Sequence, residues 1–136
     1  MADRRYDQAQ AFGGVIDVLE AVGALYAVWG GLAIVAYGEP RFTQDMDVLL
    51  RGESLSVALF VRRLDETHYH VDGHAVQEAV ISGGFFNVIH RHYAIKVDFY
   101  VPHEPELRAM IAERVYLPFD EIRRAAYITA TSVVAA

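Results

Sequence analysis

The chain contains no cysteine among its 136 residues. That absence excludes disulfide bonds, thiolate metal centres and a cysteine nucleophile, and it fits a reducing, cytoplasmic setting. No apolar run reaches the roughly 18 residues that a membrane-spanning helix needs, so no membrane partner is expected. Positive charge is scarce as well: 12 Lys and Arg stand against 18 Asp and Glu, a net charge of −6. A balance of that sign argues against a broadly basic nucleic-acid surface. Carboxylates that hold cations would account for part of it. Internal repeats, low-complexity stretches and linkers are absent, and the N-terminal MADRRYDQAQ is too polar for a signal peptide. What is present is 54% apolar and 22% charged, the composition of one globular domain over 1–136 with a single core.

Hydrophobic periodicity divides the chain into alternating helices and strands. Ala11, Val15, Val18, Leu19 and Val22 recur at helical spacing, which predicts a helix over 7–24. A short strand over 25–29 follows, then a helix over 32–37 that Gly38 and Pro40 stop. The pattern then predicts a strand over 45–51, a helix over 53–68 with Leu55, Leu59, Val61 and Leu64 inward, an edge strand over 71–73 and a helix over 75–81. After the Gly83-Gly84 break, strands over 85–90 and 94–101 form a hairpin. A helix over 104–115 and strands over 116–119 and 126–131 complete the chain. The expected fold is α+β: a mixed, mostly antiparallel sheet of about four to six strands with helices packed on one side.

The chemistry concentrates between Trp29 and Leu50, WGGLAIVAYGEPRFTQDMDVLL. Gly30-Gly31 before a helix offers bare backbone N–H groups, the kind of terminus that binds phosphate. Asp45 and Asp47 are two apart in a predicted strand, so both side chains leave one face. Adjacent carboxylates repel unless a cation lies between them, and oxygen-only ligands suit Mg²⁺ completed by substrate phosphates. In the strand 94–101, Ile95, Val97, Phe99 and Val101 alternate with Lys96, Asp98 and Tyr100. Asp98 is thus a carboxylate flanked by core residues, and such an acid needs a partner or a task. If its strand lies beside that of Asp45 and Asp47, three carboxylates converge as a two-metal phosphoryl-transfer site requires.

Gly-Gly, a helix, Asp-x-Asp on a strand and a later Asp on another strand resemble the polymerase-β-like nucleotidyltransferase superfamily. The local form, with Arg41-x-Thr43-x-Asp45-x-Asp47, looks most like the AbiEii-type toxins of type IV toxin–antitoxin systems, and it is similar to small antibiotic nucleotidyltransferases such as the lincosamide-modifying enzymes. The resemblance covers roughly 25–101. It implies a nucleotidyltransferase fold and Mg²⁺-dependent transfer of a nucleoside monophosphate from an NTP to a hydroxyl. It implies Asp45, Asp47 and Asp98 as metal ligands, with Asp98 alternatively the base for the hydroxyl, and two Mg²⁺ ions. Gly30 and Gly31 would contact nucleotide phosphates, and Arg41 and Thr43 match motif positions near the site. The implied acceptor is an RNA or tRNA end, a protein or a small molecule such as an antibiotic, and an antitoxin is the implied protein partner. Members usually continue into a helical domain that helps bind the acceptor; here the core is expected to stand alone. A non-catalytic nucleotide-sensing or partner-binding module is the rival from another class.

Outside the motif the residues have plainer uses. Lys96 shares the face of Asp98 and either contacts phosphate or pairs with that carboxylate. His68, His70, His74, His90 and His92 read as solvated loop histidines rather than a zinc site, since no carboxylate or cysteine pattern completes one. Trp29 reads as core rather than as a base-stacking platform, and the aromatic residues between 85 and 100 as sheet packing. The apolar C-terminal end, Ser132 to Ala136, is a surface through which a homodimer would pair.

Overall fold

A computed structural model describes residues 4–30, 33 and 45–135. In chain order its elements are α1 (Arg4–Ala21), β1 (Tyr26–Trp29), β2 (Met46–Leu50), a 3₁₀ turn (Gly52–Ser54), α2 (Val57–Glu66), β3 (Tyr69–His70), α3 (Gly73–Ser82), β4 (Gly84–His90), β5 (Lys96–Val101), α4 (Pro105–Ala112), β6 (Val115–Pro118), β7 (Arg124–Tyr127) and α5 (Ala130–Ala135). Seven strands form one sheet in the order β3-β4-β5-β2-β1-β7-β6. The β2–β5 and β1–β7 pairs are parallel and the other four antiparallel. The α+β, mostly antiparallel expectation holds, with seven strands in place of four to six.

The alternation expected along 94–101 is present: Ile95, Val97, Phe99 and Val101 are buried, while Lys96 is exposed and Asp98 and Tyr100 are half-buried. Met46, Val48 and Leu50 of β2 and Phe86 and Val88 of β4 join the buried face. Phe60 of α2 closes on it, its ring edge-on to both Phe86 and Phe99, with centroids 6.2 and 5.8 Å away. Aromatic pairs in that geometry stabilise beyond the area they bury.

Several boundaries differ from the expected ones for local reasons. The helix expected over 53–68 splits, because Ser56 caps a new start by accepting the Leu59 N–H. Rotating the start to Val57 makes Phe60, with Leu64, the buried pair, and leaves Leu55, Leu59 and Val61 only half-buried. The edge strand lies at Tyr69–His70 rather than 71–73, since Asp72 caps α3 through the His74 N–H at 2.9 Å. The strand expected over 126–131 ends at Tyr127, and α5 begins at Ala130. The helix expected over 32–37 lies outside the described residues except for Ala33, which is helical and buried.

Gly13 and Gly14 sit inside α1, where glycine ordinarily weakens a helix. Side chains from elsewhere occupy the space their Cβ atoms would need. A Cβ on Gly13 would lie 2.7 Å from the Arg123 guanidinium, and one on Gly14 would run into the Tyr69 hydroxyl. Tyr69 uses that hydroxyl to donate to the Ala11 carbonyl, and Arg123 forms a fork on Asp17 with two bonds of 3.0 Å. The bare patch on α1 therefore docks β3 on one side and the β6–β7 hairpin on the other.

Candidate active site

The strand order sets the site. Because β2 lies between β1 and β5, the register brings Trp29 beside Asp47 and Asp47 beside Asp98, with Asn87 of β4 opposite Asp98. Neighbouring strands are about 4.8 Å apart, so Asp47 and Asp98 stand side by side on one sheet face. Asp45 is exposed at the entry to β2, two residues before Asp47. At the end of β1, Gly30 has φ +72°, and a Cβ there would meet Asp47 Oδ2 at 2.6 Å. Glycine is thus required twice over, by its backbone conformation and by the carboxylate against it. Gly31, Arg41 and Thr43 lie outside the described residues.

The electrostatics follow from this crowding. Burial raises the pKa of Asp47 above its ordinary value, the Asp98 and Asp45 charges raise it further, and Lys96 opposes them. Lys96 Nζ lies 3.4 Å from Asp98 Oδ1, so the ion pair anticipated as a plain use for Lys96 is formed. Both side chains are substantially exposed, and such a pair contributes only about 0–1 kcal/mol. Among the described residues, no group of three or more His, Asp or Glu side chains is arranged to hold a metal ion. Two carboxylates in adjacent register, one of them destabilised by its like-charged neighbours, nevertheless form a donor set that fits Mg²⁺, which takes one or two protein carboxylates and fills its shell from substrate.

A stability prediction follows from the Asp47 shift. A carboxyl whose pKa is raised by folding holds its proton more tightly in the folded chain. It therefore costs nothing below the ordinary carboxylate range and destabilises the fold as pH rises through its folded pKa. In chelator, Asp47→Asn should melt a few degrees above the wild type at pH 7. The gain should vanish as the pH falls below about 3.8, the ordinary Asp value. Equal melting temperatures at pH 7 would show that the carboxylate is not under electrostatic pressure.

The sheet places further residues on this face that the sequence patterns did not single out. Trp29 is half-buried, packed against the core as expected, and its ring also stacks on Tyr100 with centroids 6.4 Å apart. Phe85, expected as sheet packing, is 73% exposed, its ring 4.4 Å from that of Tyr100. Tyr100 donates its hydroxyl to the Glu104 carboxylate, a bond that raises the phenol pKa and lowers that of the acid. Alternation along β4 carries the signal, since Phe85 and Asn87 share a parity and Asn87 is the register partner of Asp98. Beyond the end of β2, Glu53 pairs with Arg108 and Arg51, which together hold its carboxyl down to about 2.

One of the histidines corrects an expectation. His90 is buried, not solvated: its Nδ1 accepts from the backbone N–H groups of His92 and Tyr93 and shapes the β4–β5 turn. Burial, then the nearby His92 and His68, hold its pKa below the ordinary value.

The chain has a nucleotidyltransferase fold. Two solved structures share it. The chain superposes on TM1012 of Thermotoga maritima, an inferred nucleotidyltransferase, with a TM-score of 0.63 and 13% identity, covering 99% of this chain and 84% of that one. It superposes on the lincosamide antibiotic adenylyltransferase LnuA, solved with lincomycin bound, with a TM-score of 0.59 and 13% identity, covering 93% and 83%. No family model and no curated protein matches the sequence. Among the described residues no helix is long and apolar enough to cross a membrane.

Proposed function

We propose that this protein is a Mg²⁺-dependent nucleotidyltransferase that moves a nucleoside monophosphate from an NTP to a hydroxyl acceptor. The observation that carries this reading is the juxtaposition of Asp47 with Asp98 across β2–β5, with Gly30 against Asp47 at the end of β1. Asp45, Asp47 and Asp98 would hold Mg²⁺. When bound, Mg²⁺ would neutralise the triphosphate and stabilise the charge that develops in transfer. Gly30 and Gly31 would bind phosphates through their backbone, and Arg41 and Thr43, which precede Asp45 in the sequence, would assist. Lys96 exchanges its contact with Asp98 for a substrate phosphate. Asp98, on the far side of Asp47 from Gly30, accepts the hydroxyl proton. The acceptor oxygen then bonds to the α-phosphorus, the bond from that phosphorus to the bridging oxygen breaks, and pyrophosphate leaves. In-line attack needs nucleophile and leaving group on opposite sides, and on this reading Gly30 would hold the leaving pyrophosphate while Asp98 serves the acceptor from the other side of Asp47.

The domain 1–136 works on this reading as a single catalytic core in the cytoplasm. An RNA or tRNA end or a protein hydroxyl is the acceptor, in the manner of a toxin countered by an antitoxin. A second reading, transfer to an antibiotic-like small molecule, is favoured by the superposition on LnuA over nearly the whole chain. Thermal melts with ATP, GTP, CTP and UTP, with and without Mg²⁺, test nucleotide use. A ligand at a hundredfold excess over its dissociation constant adds about 2.7 kcal/mol of stability. The shift should require Mg²⁺ and be lost in the Asp45→Ala/Asp47→Ala variant. A wild type that no Mg²⁺-nucleotide stabilises would contradict the proposal. A Mg²⁺-nucleotide shift without transfer to any acceptor would favour the non-catalytic module.

A further inference from the structure

The face that carries the carboxylates also carries a strip of rings that the proposed chemistry does not use. Trp29 of β1 and Tyr100 of β5 are nearly parallel, with 17° between their planes, and Phe85 of β4 continues the strip at 31° to Tyr100. Leu49, in register with Tyr100, is fully buried on the intervening strand β2. The strip thus crosses the sheet diagonally, from Trp29 in the row of Asp47 to Tyr100 and Phe85 one residue row beyond Asp98, about 7 Å along the strands. Its orientation is fixed, because the Tyr100 hydroxyl is held by both oxygens of Glu104 at 2.7 and 2.8 Å. Its outer end is bare: Phe85 is 73% exposed, an unusual place for so large an apolar side chain.

The ligand suited to this face has two unlike ends. One end is polyanionic and meets the glycine and the carboxylates through cations. The other is flat and aromatic and lies on the rings. Trp29 directly precedes Gly30, so the strip starts at the proposed phosphate end. We propose that Trp29, Tyr100 and Phe85 form the platform on which the nucleobase of the NTP stacks, an inference that rests on the nucleotidyltransferase reading above. Every base has a π-face, so a platform of this kind is sequence-tolerant. The strip's ring-borne hydroxyl is already engaged by Glu104, which leaves little to read a base edge. The four NTPs should therefore bind within about tenfold of one another, because discrimination by hydrogen-bonded edges is what separates bases more widely.

Trp29 is the single tryptophan, and its fluorescence reports binding at the strip directly. In saturating Mg²⁺ we would titrate the wild type, Phe85→Ala and Phe85→Tyr with each NTP and with inorganic tripolyphosphate, and confirm the tripolyphosphate affinities by calorimetry. Phe85→Ala should weaken every NTP by roughly tenfold, the scale of losing one base–aromatic stack. It should leave tripolyphosphate unchanged, and Phe85→Tyr should restore NTP binding. Unchanged NTP affinity in Phe85→Ala would overturn the platform and assign the rings to the acceptor. Equal weakening of NTP and tripolyphosphate would overturn it too, as a general structural effect. A preference above a hundredfold for one NTP would overturn base tolerance. If the wild type binds neither NTP nor tripolyphosphate, the nucleotidyltransferase reading itself fails and the platform with it.

Discussion

Asp47→Asn combined with Asp98→Asn is expected to lower nucleotidyl transfer by at least about a thousandfold while leaving the fold intact. The magnitude reflects what stabilisation of developing charge contributes when the groups are preorganised, and removal of even a single such donor costs about a hundred- to a thousandfold. Here two ligands of the proposed metal site are lost together, and with Asp98 the proposed proton acceptor. Asparagine keeps the shape of each side chain, so packing on β2 and β5 survives. It also removes the burial of a charged carboxylate and, after that, the Asp98 repulsion that together raise the Asp47 pKa, so the variant should be at least as stable as the wild type at neutral pH. Circular dichroism and a melting curve would establish the fold, and pyrophosphate release the activity. A variant that folds and keeps a tenth or more of the rate would place the chemistry elsewhere.

Phe60→Ala is expected to destabilise the protein by about 3–5 kcal/mol, the usual range for emptying a buried aromatic site. Phe60 is fully buried and touches Phe86 and Phe99 edge-on, so the cavity opens directly beneath β4 and β5. Those two stacked rings, 4.8 Å apart, span the pair of strands that carry Asn87 and Asp98 on the opposite face. Chemical denaturation would measure the loss. A cost below about 1 kcal/mol would mean that α2 collapses into the space, and that this core does not hold the site's strands rigidly. Domains of this kind are stable by only about 5–15 kcal/mol. The substitution should therefore also loosen nucleotide binding at temperatures where the wild type is unaffected.

The legibility of this protein follows its physics. The strand 94–101 was readable because its alternation is strict, with four apolar residues inward and three polar or amphipathic residues outward, and the structure places every one of them as expected. Asp45, Asp47 and Asp98 could be proposed as neighbours from sequence only on condition that their strands pair, and the β2–β5 pairing meets that condition for Asp47 and Asp98, while Asp45 lies just before β2. What stayed hidden depends on which side of a boundary a cap falls. The Ser56 cap shifts α2 by four residues relative to a start at Glu53, and that shift brings Phe60 inward. The exposure of Phe85 was hidden because an aromatic residue in an alternating strand reads as core whichever face lacks a cover. Likewise His90 lies next to a turn but is drawn in by two backbone N–H groups that only the folded hairpin aims at it. Gly13 and Gly14 carried no helical advantage in sequence, and their reason for being there, Tyr69 and Arg123, lies 55 or more residues away.

The most direct test of the central proposal follows the phosphorus atoms. The protein would be incubated with Mg²⁺ and NTP labelled at either the α- or the γ-phosphate, against separate pools of total RNA, heat-treated protein and hydroxyl-bearing small molecules. The Asp47→Asn/Asp98→Asn variant serves as control. Nucleotidyl transfer predicts that the α-label moves to one pool, that the γ-label leaves in pyrophosphate, and that both depend on Mg²⁺ and on the two aspartates. Transfer of the γ-label to an acceptor, or α-label transfer that the double variant retains, would contradict it.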